Sequence, residues 1–363
     1  MSAKKNELLP LIQEQINGYG PISVARYMDM ALGHEKHGYY RKQDPFGADG
    51  DFITSPDISQ MFGEMVGLWC ACVAQMMEIS EPLNLVEVGP GRGTLMADAL
   101  RAASTVPGFL DNVRVSMVET SPVLRVLQKQ ALEPFGVKAT WHDDIKDVAD
   151  GPLLVIGNEF FDALPVRQYV YGDGEWHERL VGLNGEKLAF VMADEAESEG
   201  LVPETLQAKA QAGDVFEDQA TSRAVMKNVA ARIAKFGGAA LFFDYGHDEH
   251  ALGNTFQALK GHKFVDVLSK PGNQDLTTHV DFEQLSKVAE AEGAEVFGPV
   301  AQGIFLQQLG MGERAETLKA KASEEQIFDV NRAYTRLVSP EQMGTLFRVL
   351  GIASPGLQIP PWS

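Results

Sequence analysis

Leu83-Asn-Leu-Val-Glu-Val-Gly-Pro-Gly-Arg-Gly93 decides how the rest of the chain is read. A mostly apolar run enters a turn built from Gly89, Gly91 and Gly93, and a helical pattern opens at about Thr94. Strand, glycine turn and helix in that order bring main-chain N–H groups and the positive end of a helix dipole up to a ligand. The spacing bears on which ligand. A dinucleotide fingerprint wants glycines at i, i+2 and i+5. Counted from Gly89 the last of these is Thr94, and the third glycine arrives early, at Gly93. Glu87 adds negative charge at the strand end, which repels a pyrophosphate and suits a cationic cofactor.

Outward from this stretch the pattern alternates. Strand 83–88, helix 94–103, strand 113–119, helix 122–132 and strands 137–141 and 153–157 have the rhythm of a parallel sheet. After Pro165 the period changes to two. Segments 166–171, 176–183 and 187–192 are divided by Gly172-Asp-Gly174 and Asn184-Gly185, which predicts an inserted antiparallel meander with a type I′ hairpin at Asn-Gly. A helix near 219–236 and strand 239–244 return to the sheet. An irregular segment 246–278, helix 281–292, strand 294–298 and an α-helical C-terminal portion follow. Upstream, residues 6–32 read as helices broken at Gly18-Tyr-Gly-Pro21, the second capped by Ser23. A long aromatic, turn-rich loop over 33–59 precedes an apolar helix over 58–77, and loops of that length and composition commonly cover a site.

With 363 residues, 45% hydrophobic and 22% charged, the chain can bury a large core, and no apolar run approaches the roughly 18 residues a membrane helix needs. A net charge of −19 without a basic stripe opposes phosphate-backbone binding, so nucleic acid is not expected as a partner, and the lack of a long apolar run speaks against membrane insertion. Cys70 and Cys72 are the only cysteines and read as two buried thiols on one apolar helix, pointing apart, in a reducing compartment. The N-terminal Met-Ser-Ala-Lys-Lys-Asn-Glu has neither a secretory h-region nor transit-peptide character, which predicts a cytoplasmic location.

In an open parallel sheet, ligands bind beyond the carboxyl ends of the strands, so candidate polar groups follow strands. Glu119 closes strand 113–119, where a carboxylate can accept from both hydroxyls of a ribose. Asp143 and Asp144 follow the next strand, where one of them is placed to accept from an adenine amino group and either could cap the next turn. Asn158-Glu159-Phe160-Phe161-Asp162 interleaves acids and aromatics at a strand end, which suits a cation, and Asp244 and Tyr245 end the neighbouring strand. His34-Glu-Lys-His37 is one residue short of a zinc helix and reads as loop; His142, His247, His262 and His279 show no metal spacing, so no metal is expected. No serine sits in a G-x-S-x-G elbow.

The motif E-x-G-x-G-x-G resembles motif I of class I methyltransferases, which bind S-adenosylmethionine. Taken with Pro45-Phe-Gly47, Gly50-Asp-Phe-Ile-Thr-Ser-Pro56, Gly157-Asn-Glu-Phe-Phe-Asp-Ala-Leu-Pro165, Asp244-Tyr-Gly246 and Gly261-His262, it makes nearly the whole chain resemble the MidA family. The resemblance implies an α/β fold with a Rossmann-like class I methyltransferase sheet and S-adenosylmethionine as cofactor. It also implies a protein substrate, since mitochondrial members methylate an arginine on a core subunit during assembly of respiratory complex I; without a mitochondrial presequence this chain looks like a bacterial member. On this reading residues 1–80 form N-terminal helices and a substrate loop, 81–165 and 237–300 the cofactor core, 166–236 the inserted meander and helix, and 301–363 a helical C-terminal portion. Glu87, Gly89, Gly91, Gly93, Glu119, Asp143, Asp144 and Asn158 would hold the cofactor. Glu159, Asp162 and Asp51 would be the catalytic acids, because a fork of carboxylates orients a guanidinium bidentately. Two other readings stand beside this one: a non-catalytic assembly factor that keeps the fold to bind a client, and, more distantly, an NAD-dependent oxidoreductase.

Overall fold

A computed structural model describes residues 6–42, 53–79, 81–197, 200–261 and 263–362. Leu83–Val88 is buried at every position because both of its faces are covered. Leu83 and Leu85 join one apolar layer; Val86 and Val88 join the other. The first layer is built by helices Gln60–Met76 and Thr94–Ala103 and by the C-terminal helices, the second by helices Ala220–Phe236 and Phe282–Ala291. Seven strands run in the order Glu295–Ala301, Phe347–Ala353, Gly238–His247, Leu153–Asn158, Leu83–Val88, Val113–Val118 and Ala139–His142, and Val280–Asp281 adds a short eighth beside Gly238–His247. The five from Gly238–His247 to Ala139–His142 are parallel. From Leu83–Val88 the chain steps outward twice, then crosses back to lay Leu153–Asn158 on the opposite side. That reversal opens a crevice at the carboxyl ends of the strands, where the glycine turn lies.

The inserted meander is present. Strands Arg167–Gly172, Glu175–Asn184 and Lys187–Ala196, with Val215–Asp218, form a second sheet to which Ile22–Ser23 also pairs. It shares a core with the N-terminal helices Leu8–Tyr19 and Val24–Gly33, through Val166 and Val181 against Ile12, Tyr27 and Met28. Ser23 caps the second of these helices by accepting from Arg26 N–H. The Asn184-Gly185 hairpin forms one residue later than expected. Asn184 pairs with Lys187 as the last strand residue, and of the two turn residues only Gly185 has positive φ, the type II′ pattern in place of I′. The type I′ pattern is found at Asp173-Gly174, with φ of 53° and 91°.

Three further differences have physical reasons. The C-terminal portion is helical to Leu346, after which Phe347–Ala353 inserts antiparallel between Gly238–His247 and Glu295–Ala301. A seven-residue run that is apolar apart from Arg348 and buried on both faces has no period that separates it from helix. Within the irregular 246–278 segment, Gln257–Lys260, Lys263–Val265 and Asp275–Thr277 form a three-stranded sheet, each strand too short to show alternation. Cys72, expected to be buried, is exposed: helix Gln60–Met76 buries Cys70, and a residue two positions along faces another way. No helix among the described residues is long and apolar enough to cross a membrane.

Candidate active site

The glycine turn holds Gly89, Gly91 and Gly93 at φ of 62°, 52° and 83°, a region open to glycine at little cost. At Gly89 an added Cβ would also stand 2.8 Å from the Phe160 ring. The turn is fixed from below by a residue not anticipated from sequence. Gln128 is fully buried; its amide donates to Gly91 O at 2.7 Å and to Glu119 Oε2 at 3.2 Å, and its carbonyl accepts from Trp141 Nε1 at 2.8 Å. One side chain thus ties together the glycine turn and the ends of two strands. The available signal was a glutamine on the buried stripe Leu124, Gln128, Leu132 of helix Pro122–Leu132, where an amide is retained only when fully partnered.

A cavity of about 360 Å³ lies over this turn, lined among others by Gly89, Gly91, Glu119, Asp143, Glu159 and Asp162. A smaller one of about 50 Å³ adjoins it, sharing Thr54, Gly89, Gly91 and Glu159 and adding Glu87, Arg92 and Asn158. Gly93, at the head of helix Thr94–Ala103, packs on Gln128. Asp51 lies outside the described residues and Asp244 lines neither cavity; Glu87, Glu119, Asp143, Asp144, Glu159 and Asp162 each border one or the other.

The strand-end acids behave differently from one another. Glu119 Oε1 accepts from Ser121 N–H at 2.7 Å, and burial pushes its carboxyl up. Asp144 caps the short 3-10 turn Ile145–Asp147, accepting from Lys146 N–H at 3.0 Å and pairing with Lys146 Nζ, whereas Asp143 pairs with Arg125 at 2.8 Å and remains largely exposed at the cavity. Of the two, Asp144 is the N-cap. The roof comes from helix Tyr39–Lys42. Arg41 donates to Thr120 O, Tyr40 O accepts from the Ser121 hydroxyl at 2.6 Å, and the Tyr40 hydroxyl donates to Asp275 at 2.8 Å.

Asn158–Asp162 is the most strained and most acidic part of the site. Glu159 sits at φ 51°, a conformation that costs a non-glycine residue about 1 kcal/mol or more and survives where its surroundings impose it. They do so through Asp244, which is 1% exposed. Its Oδ2 accepts from the N–H groups of Phe160, Phe161 and Asp162 at 3.2, 2.9 and 3.2 Å. Asp244 therefore borders the site from behind, as the anchor of the turn. Glu159 Oε1 accepts from Asn158 Nδ2 at 3.0 Å and Ser55 N–H at 3.3 Å. Burial, with the Asp162 carboxylate adding to it, still pushes Glu159 up to about 8. Burial pushes Asp162 to about 6, with the Tyr245 hydroxyl opposing.

Among the described residues, Glu87 Oε2, Asn158 Oδ1 and Asp162 Oδ1 are buried without a hydrogen-bond partner. Three orphaned acceptors around two joined cavities fit a ligand that brings positive charge and N–H donors. S-Adenosylmethionine is such a ligand, through its ammonium and sulfonium.

Comparison with known proteins agrees. The sequence model of a family described as S-adenosyl-L-methionine-dependent methyltransferases matches residues 65–300. The chain belongs to this family. Among its relatives are "Protein arginine methyltransferase NDUFAF7, mitochondrial" of Danio rerio, 36% identical over 97% of this chain and 88% of that protein, and its Homo sapiens counterpart, 34% identical over 96% and 84%. A Burkholderia thailandensis protein crystallised with S-adenosyl-homocysteine superposes with a TM-score of 0.83 at 25% identity, covering 97% of this chain and 92% of that one. The fold is that of a class I methyltransferase, and the enzyme is an S-adenosylmethionine-dependent methyltransferase. Gly89→Ala is expected to lower affinity for S-adenosyl-homocysteine about tenfold or more, because the new methyl displaces Phe160 at a strained φ. Isothermal titration measures the loss.

Proposed function

We propose that this methyltransferase acts on an arginine side chain of a protein, with Glu159 and Asp162 receiving the guanidinium. The observation that carries the reading is the pair of buried carboxyls lining one cavity, Asp162 Oδ1 among the described residues without a hydrogen-bond partner, with burial pushing the two up to about 8 and about 6. Two raised carboxyls side by side are a standing electrostatic cost that a bound cation removes. A planar guanidinium offers paired N–H donors in a fixed fork, matching two carboxylates better than the compact ammonium of lysine. The names of the relatives, protein arginine methyltransferases, support the same substrate class.

When bound, S-adenosylmethionine supplies an electrophilic methyl on sulfur. In this assignment Glu119 would hold the ribose hydroxyls, the exposed carboxylate of Asp143 the adenine amino group, and Glu87 and Asn158 the ammonium end. Glu159 and Asp162 hold the acceptor so that one nitrogen is free to attack, and draw positive charge onto the other two. The nitrogen that accepts the methyl would have to shed a proton. Asp162 or Glu159 would take it, since burial pushes both carboxyls up toward the working pH. We infer from the MidA resemblance that the acceptor is a respiratory complex I subunit or its bacterial counterpart, and that the enzyme meets it in the cytoplasm.

The test uses methyl-labelled cofactor and cell extract, with the labelled residue mapped by peptide mass spectrometry. Label on arginine that disappears in the Glu159→Gln, Asp162→Asn double variant supports the assignment. Label on other residue types, or none, overturns it.

A further inference from the structure

We propose that the lysine-bearing strand pair at the edge of the small three-stranded sheet is the docking surface for an acidic segment of the acceptor protein; this rests on the arginine-methylation reading above. In this sheet Gln257–Lys260 is central, flanked by Lys263–Val265 on the outside and Asp275–Thr277 on the inside. Asp275 is on the inner strand, lines the large cavity and holds the roof through Tyr40. The outer strand lies about two strand spacings, roughly 10 Å, from that inner one.

The outer strand is exposed at all three residues, and Phe264 is 73% exposed, the second most exposed large apolar side chain in the described chain. Lys260 and Lys263 stand directly opposite each other in the antiparallel ladder. Like charges at such positions repel at short range and weaken the pairing. Neither lysine has a carboxylate within 4 Å among the described residues, although the chain carries 50 acidic residues against 31 basic ones. Lys260 is instead steadied by donating to Asn273 O at 2.6 Å, two residues before Asp275. Two uncompensated ammonium groups beside an exposed ring, in an otherwise acidic molecule, are complementary to a segment carrying carboxylates and an apolar side chain. A net charge of −19 disfavours non-specific approach of such a segment, so the two lysines also favour one orientation. An extended chain covers the 10 Å to the cavity-lining strand in about three residues, which is the least spacing between the acidic residues and the target arginine.

The test uses fluorescein-labelled synthetic peptides with one arginine, carrying either Asp-Glu-Leu or Ser-Gln-Leu at a series of spacings from three residues upward, and follows both binding by anisotropy and methylation. The acidic peptide is expected to bind about tenfold tighter at low salt, with the difference closing at high ionic strength. Lys260→Glu with Lys263→Glu should abolish that preference while affinity for S-adenosyl-homocysteine is retained, and Phe264→Ala should weaken both peptides alike. Equal binding of the two peptides, or a preference untouched by the charge reversal, overturns the docking surface. So does lysine-dependent binding to phosphatidylserine vesicles without any peptide preference. Lysine-dependent acidic binding without arginine methylation supports the surface and counts against the arginine reading alone.

Discussion

Glu159→Gln is expected to lower kcat/KM for methyl transfer by about 100- to 1,000-fold, the scale on which a positioned charge or general base contributes. The same substitution should stabilise the protein at alkaline pH. Glu159 is raised from an ordinary 4.5 to about 8 in the folded protein, so between those values the folded state keeps a proton that the unfolded chain has released. Stability therefore falls as pH rises from about 4.5 to 8, and the full cost is present above 8. Glutamine carries no such proton. Above pH 8 the variant should melt a few degrees higher than the wild type, the signature of strain kept for function. Activity runs the other way. A guanidinium needs the ionised carboxyl, so wild-type kcat/KM should climb with pH toward a plateau above about 8, and that limb should vanish in Glu159→Gln. Thermal melts and pH–rate profiles measured on both proteins check the two signs together. A variant that loses activity and stability in parallel would instead mark Glu159 as a structural residue.

The second large effect belongs to a residue with no direct access to substrate. Asp244→Ala removes the acceptor of three backbone N–H groups in a buried turn, and leaving those donors unsatisfied costs about 3 kcal/mol or more. Glu159 then loses the frame that holds it at positive φ. The expected result is a marked fall in melting temperature together with loss of the thermal shift that S-adenosylmethionine gives the wild type. Asp244→Asn retains a carbonyl acceptor at the same place and should recover much of the stability. The ordering wild type, Asn, Ala in melting temperature is the check.

How much of this could be read from the chain follows from which interactions are local. The glycine turn and its flanking strand and helix are coded within a dozen consecutive residues, and Leu83–Val88 and Thr94–Ala103 form as the pattern indicates. The acids that follow strands were legible for the same reason: a strand end is a local event, and the topology carries it to the cavity. Local patterns did not separate the two aspartates, since either could cap the following turn; Asp143 is turned aside by its pair with Arg125, 18 residues away, and leaves the cap to Asp144. Asp244 was legible as a strand-end acid, but its anchoring role, like Gln128 altogether, lay beyond reach because both are made across the sheet: Gln128 meets Gly91 37 residues away, and Asp244 meets Phe160 84 residues away. The Phe347–Ala353 strand was hidden likewise, since its pairing partners precede it by some 50 to 110 residues and only they distinguish it from a buried helical turn.

The most direct test of a cation site built from buried acids is proton release on binding. Calorimetric titration of an arginine-containing peptide into the S-adenosyl-homocysteine complex, repeated at pH 7 in buffers of different ionisation enthalpy, counts protons. With Glu159 at about 8 in the free site, close to one proton should be expelled per guanidinium bound, and none in Glu159→Gln. Binding without proton release in the wild type, or with equal release in the variant, would contradict the assignment of these carboxyls to the acceptor.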